Sequence, residues 1–350
     1  LIVLVVPGRL DTPTGGYVYD RRIVEGLRRL GQPVDVCSLE DSFPWPTAAA
    51  LVEAASKLGS MPDGATVLVD GLAGGVMPAV MEHEAARLRL VSLVHHPLAD
   101  ETGISREDAA AFEVSERRTL ACVRRIVVTS RRTAGRVAEL FGVFAERLAI
   151  VEPGVDRGPL ATGSSSQVPE LLCVAAISPR KGYLTLVRAL AIAADRRWHL
   201  TVIGSLDRQP QTAEHVQVEL RAAGLEGRVS FVGEADAATI STYYQRSDLF
   251  ILPTEYEGYG MVVAEALAHG LPVVSTPVGA IPELVGTDAG VIVPVGDAAA
   301  LAAALTKALD DPLWRGRLAE GAARVRERLH GWEAATKKME QVLASVTRDE

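Results

Sequence analysis

Two acids flank a glycine turn in residues 255–274, EYEGYGMVVAEALAHGLPVV. Glu257 stands just before Gly258 and Gly260, and Glu265 lies further on, inside an apolar stretch. Glycines let a backbone approach a ligand closely, and the first N–H groups of a helix starting near Tyr259 are free to bind an anion. A carboxylate would repel phosphate, yet it accepts hydrogen bonds well from paired hydroxyls. Two separated carboxylates around an anion-binding turn therefore suit two polyol rings joined by phosphate, and a nucleotide sugar is such a ligand. On this reading Glu265 takes the ribose hydroxyls, Glu257 the sugar hydroxyls, and the N–H groups of Gly260, Met261 and Val262 the diphosphate. A plainer reading has Glu257 capping the helix, where an acid complements its dipole, and Glu265 on a solvated face. Spacing alone leaves both open.

Three other stretches carry groups of the same kind. In TPTGGYVYD (12–20), Gly15 and Gly16 make a tight turn whose amides can face a phosphate. It is not the GxGxxG fingerprint, so dinucleotide binding gains little from it. VHHPLADETG (94–103) puts His95 and His96 at a strand end, and ISPRKGY (177–183) puts Arg180 and Lys181 after another. The plainer readings are a structural histidine and a capped loop. No Asp-x-Asp stands at a strand end and no His/Cys cluster has ligand spacing, so a metal is not implied. The arginines clustered between Arg117 and Arg136 could meet an anionic membrane or a lipid phosphate. They lack an amphipathic aromatic face, and they read as a solvated helix leading into a strand.

These groups need elements to hold them. Short apolar runs alternate with longer helical patterns: LIVLVV (1–6) to LAIVEP (148–153) give one set of strands, ELLCVAAI (170–177) to AGVIVP (289–294) a second. Runs of Val, Ile and Leu without polar alternation predict strands buried on both faces, hence parallel sheets covered by helices. Helices are expected over 17–30, 106–123, 131–140, 183–196, 213–223 and 259–269. The fold class is α/β, with two Rossmann-like domains divided near GPLATGSSSQ (158–167). The last segment, WEAATKKMEQVLASV (332–346), is an amphipathic helix with Trp332, Ala335, Met339, Val342 and Leu343 in one stripe.

Composition sets outer bounds. The 350 residues suffice for about two domains, and a net charge of −8 argues against general nucleic-acid binding. Cys37, Cys122 and Cys173 lie far apart in apolar strings, as reduced core residues of a cytosolic protein do. No run reaches the roughly 18 apolar residues of a membrane span. LIVLVV is too short for a signal peptide and has no basic leader, so a first strand is expected there.

The stretch EYEGYGMVVAEALAHGLPVVSTPVGAIPELV (255–285) resembles the Glu-x7-Glu signature of retaining GT-B glycosyltransferases, especially glycosyltransferase family 4. The resemblance implies two Rossmann-like domains facing across a cleft, with the C-terminal helix crossing back onto the first. Residues 1–157 plus 333–350 would bind the acceptor, and residues 168–332 the nucleotide-sugar donor. It implies transfer of a sugar from a nucleotide diphosphate to an acceptor hydroxyl with retention, without metal or cofactor, in the cytoplasm. His95 matches the family's cleft histidine, placed against the donor sugar with Glu257; His96 is the alternative one register away. Lys181 matches the phosphate lysine, Gly15 and Gly16 the cleft turn, and Gly204 a loop shaping the nucleotide pocket. The sequence departs at Ala176, where the family carries an arginine; Arg180 is the candidate substitute. VEPGVD (151–156) resembles the hinge-side segment. The donor base, the sugar and the acceptor are not fixed, and peripheral membrane contact is not favoured. Competing readings are a sugar-nucleotide epimerase or phosphorylase on the same fold, and an inactive sugar-nucleotide binder. An NAD-dependent oxidoreductase is the weakest.

Overall fold

The computed structural model describes residues 1–348. The apolar runs form the strands Ile2–Pro7 (β1), Val34–Leu39 (β2), Thr66–Asp70 (β3), Arg89–Val94 (β4), Arg125–Val128 (β5) and Leu148–Ile150 (β6). A second set follows: Glu170–Val174 (β7), His199–Ile203 (β8), Val229–Gly233 (β9), Leu249–Leu252 (β10), Val273–Ser275 (β11) and Gly290–Ile292 (β12). Each set makes one parallel sheet, ordered β2-β1-β3-β4-β5-β6 and β12-β11-β10-β7-β8-β9. Val3 to Val6 and Leu249 to Leu252 are buried throughout, as strands covered on both faces must be. The chain divides into two compact units, Leu1–Gly154 with the stretch from His330 onward, and Val155–Leu329. Both are Rossmann-like, and the α/β expectation holds.

The strand order matters for chemistry. In open α/β sheets the chain leaves a pocket where neighbouring crossovers depart in opposite directions, beyond the carboxyl ends of those strands. That point falls between β1 and β3 in the first sheet and between β7 and β10 in the second. Both glycine-bearing stretches singled out above follow one of these strands.

Helix Trp332–Arg348 packs on helix Gly15–Arg29 of the first domain. A Cβ at Gly26 would collide with the Thr336 side chain, so this crossing is close enough to need glycine. Gln32 donates to Glu340 at 2.7 Å and the Trp332 ring meets Tyr19 at 6.0 Å. Residues 349 and 350 of the expected domain extension lie outside the described residues.

Several boundaries moved. The helix expected from Tyr259 begins at Met261, because Gly260 takes the left-handed conformation (φ +94°) and serves as its N-cap. The strands expected over 148–153 and 289–294 keep only three residues each. The arginine cluster is largely tied down at its helical end: Arg117 pairs with Glu113, Arg118 with Glu82 and Arg136 with Asp100, at 2.6 to 2.7 Å. Among the described residues no helix is long and apolar enough to cross a membrane.

Candidate active site

At the second sheet's switch point, the loop after β7 and the loop after β10 are sewn together. Glu255 N–H and the Thr254 hydroxyl both donate to the Arg180 carbonyl, at 2.7 and 2.9 Å. Gly182 (φ +69°) presses so closely on the Pro253 carbonyl that a Cβ there would fall against its oxygen. Between these ties Lys181 Nζ forms an ion pair with Glu257 Oε1, each side chain only 12% exposed. The sequence assigned the two residues to different parts of a ligand; the structure pairs them with each other. Burial lowers the Lys181 pKa, and neighbouring Arg180 lowers it further, while Glu257 works against both. A second cation therefore stands beside Lys181, and it is Arg180, since position 176 offers only a methyl group.

Glu257 does not cap the following helix. The N-cap is Gly260, without a side-chain hydrogen bond, which leaves the opening N–H groups of Met261 and Val262 to point past the helix end. Gly279 (φ +53°) closes on the Glu257 and Gly258 carbonyls and fixes the turn from behind. Tyr259 is buried with Ala264 and Ala280, so its ring anchors the turn. Glu265 is half-buried, not solvated: its Oε2 accepts from the Tyr244 hydroxyl at 3.2 Å. Gly204 (φ +152°) packs on the Ala175–Ala176 peptide, bringing the loop after β8 against the loop after β7. One end of this domain thus gathers two cations, two carboxylates and a helix N-terminus with no side-chain cap. That set can hold an anion flanked by hydroxyls.

The first domain's switch point holds a different cluster. His95, just past β4, places Nε2 3.1 Å from Asp20 Oδ1 and 3.4 Å from Asp70 Oδ2. Asp20 comes from helix Gly15–Arg29 and Asp70 ends β3, where its Oδ1 also caps the turn by accepting from Leu72 N–H at 2.8 Å. A Cβ at Gly16 would lie 3.3 Å from the His95 ring, so the glycine turn and the histidine are in contact. Tyr19 meets the ring edge-on at 5.3 Å. His96 turns elsewhere, to Glu101 Oε2 at 3.0 Å. The buried Glu116 carboxylate accepts from Leu98 and Ala99 N–H and so holds the loop that follows. Chain spacing gave no hint that one histidine and two acids converge here, within 4.8 Å.

The family profile described as Glycosyl transferases group 1 matches residues 168–311, most of the second domain. That stretch is similar to the group 1 glycosyl transferases. One relative, a D-inositol 3-phosphate glycosyltransferase from Thermomonospora curvata, is 31% identical over 256 residues, or 65% of this chain and 58% of that protein. The chain spans less than two thirds of the length of the curated relatives it matches first. Among solved structures, sucrose-phosphate synthase from Thermosynechococcus elongatus superposes with a TM-score of 0.84 at 21% identity, over 100% of this chain and 99% of that one. Anabaena HepE, solved with UDP and glucose, gives a TM-score of 0.78 at 17% identity, over 98% of this chain and 99% of that one. These likenesses are of fold, and the fold is GT-B.

Asp20, Asp70 and Tyr244 are the neighbours of the candidate residues that sequence reading missed. Asp70 did carry a signal, a lone acid closing the apolar run ATVLVD (65–70). Asp20 and Tyr244 sit in helices with ordinary patterns and carried none.

Proposed function

We propose that the protein is a retaining, metal-independent glycosyltransferase that moves a sugar from a nucleotide-diphosphate sugar to an acceptor hydroxyl. The observation that carries this reading is the Lys181–Glu257 pair at the switch point, with Arg180 and the bare N-terminus of helix Met261–Ala268 beside it. Lys181, Arg180 and the N–H groups of Gly260, Met261 and Val262 neutralise the diphosphate as it leaves. Glu257 then turns to the donor sugar's hydroxyls, and Glu265, steadied by Tyr244, takes the ribose pair. Gly204 leaves room for the base. In the first domain, Gly15 and Gly16 approach the phosphates and His95 the sugar. The acceptor hydroxyl attacks from the face by which the leaving group departs and passes its proton to the departing diphosphate, which retains configuration without a protein nucleophile. The second domain binds the donor and the first the acceptor. The three free thiols fit a cytoplasmic protein.

HepE was solved with UDP, so a UDP-sugar is the first donor to offer. An inactive nucleotide-sugar binder is the second reading, favoured by Ala176 in place of a cation.

Lys181→Ala tests the phosphate role. The variant should bind free nucleoside diphosphate about 10–150-fold more weakly by calorimetry, the loss of one charge-assisted contact of about 1.5–3 kcal/mol. Equal affinity in wild type and variant would remove Lys181 from the site. A wild type that binds the donor yet releases no nucleoside diphosphate from it, with any acceptor offered, would favour the inactive binder.

A further inference from the structure

We propose that Asp20 is a positioning residue which, together with Asp70, holds His95 as a doubly protonated imidazolium, so that the histidine meets its ligand as a fixed donor and positive charge and never as a base. What the histidine does to a sugar rests on the glycosyltransferase reading; its protonation state does not.

The geometry leaves little choice of proton. Two carboxylates face one ring nitrogen, at 3.1 and 3.4 Å, and both acids are at most 2% exposed. Ionised carboxylates only accept hydrogen bonds, so Nε2 must carry a hydrogen; a lone pair there would face two negative charges. A neutral ring would also leave two buried anions without a cation between them, which is costly. Asp70 spends its other oxygen on the Leu72 N–H, whereas Asp20 Oδ2 is buried without a hydrogen-bond partner. Asp20 therefore has no backbone donor to stabilise its charge, and His95 is its principal partner.

The surroundings agree. Burial by itself would lower the His95 pKa, but Asp20 first and Asp70 second more than reverse it, and the net shift is upward. Burial raises Asp20 to about 6, with His95 opposing and Asp70 reinforcing it, so near pH 7 the acid is still ionised beside the ring. The other titratable neighbours do not compete for the ring proton. Tyr17 donates to the Pro7 carbonyl and is kept neutral by burial and the two acids. Tyr19 gives its hydroxyl to the Val151 carbonyl and only its ring edge to His95. From the end of β5, Thr129 donates to the His95 carbonyl at 3.3 Å, and His96 keeps to Glu101. With Nε2–H held by the acids, Nδ1–H is the group left to act on a ligand.

The test is a pH titration of the imidazole nitrogens by NMR on the full chain without nucleotide, with His95 assigned through His95→Gln. Wild-type His95 should stay doubly protonated to at least about pH 8, and in Asp20→Asn its titration should fall by about 1–3 pH units. A neutral wild-type ring near pH 7 would overturn the proposal, and this arm needs no variant to fold. An Asp20→Asn ring charged to the same pH as wild type would give the role to Asp70 alone. Histidine signals that move with added Zn²⁺ and return with EDTA would mean that the three groups hold a metal, which also overturns it. Because no donor is present, these outcomes are independent of whether the chain transfers sugar.

Discussion

Glu257→Gln should bind free nucleoside diphosphate more tightly than wild type and yet turn over donor more slowly. The two effects have one cause. In the free protein Lys181 is spent on Glu257, in a pair that is largely buried. A diphosphate arriving there must draw Lys181 away while Glu257 remains as a nearby like charge. Glutamine keeps the shape and removes the charge. Affinity for the diphosphate should rise roughly 10-fold, about 1.4 kcal/mol, while the lost charge-assisted bond to the sugar hydroxyls, about 1.5–3 kcal/mol, slows transfer about 10–150-fold. A pH signature separates this account from simple loosening of the loop. Burial and Arg180 already depress Lys181, and Glu257 is what opposes them. Without Glu257 the lysine pKa falls further, so diphosphate affinity should begin to drop at lower pH in the variant than in wild type. Calorimetry across pH checks both claims. Weaker diphosphate binding at every pH would show that Glu257 assists the phosphates and does not hold their lysine in reserve.

Gly182→Ala should destabilise the second domain by more than about 3 kcal/mol. Two costs add. The residue sits at φ +69°, where an L side chain costs roughly 1–2 kcal/mol. Its new Cβ would also drive into the Pro253 carbonyl, which is backbone and cannot rotate aside. Gly224 supplies a control in the same domain, at φ +68° with no atom within 4 Å of an added Cβ. Gly224→Ala should therefore show only the conformational part, and urea melts of the two variants should differ by about 2 kcal/mol or more. Equal losses would mean that the two loops can part freely. Where Gly182→Ala still folds, nucleoside diphosphate binding should weaken, because the clash separates Lys181 from the turn that carries Glu257.

The fold was written openly in the sequence because its signals are local. Buried parallel strands show as unbroken runs such as LFIL (249–252), and the turn at Gly258 to Gly260 announces itself through residue type. Even the boundary errors were small, and one has a plain cause: Gly260, read as the start of a helix, caps it from a left-handed conformation that only the surrounding packing requires. The candidate residues could be named from the sequence, but their pairings could not. Lys181 and Glu257 each read as a ligand contact, and nothing in either stretch says that they meet, because their meeting depends on β7 and β10 being neighbours. The same holds for His95, whose two acids come from a helix and from the end of another strand. Tyr244 on Glu265 is a third case. Strand order converts separated motifs into contacts, and residue types along the chain do not encode it directly.

On the proposed function, the turn between β10 and helix Met261–Ala268 holds a nucleotide-diphosphate sugar without a metal. The most direct measurement is calorimetric titration of the wild-type chain with UDP, GDP, ADP and TDP and their common sugars, in EDTA. One base should bind in EDTA as well as in added Mg²⁺, and its sugar conjugate should bind at the same site in competition with the free diphosphate. Saturable binding that disappears in EDTA would contradict the metal-independent account, and no binding by any of them would contradict the donor site itself.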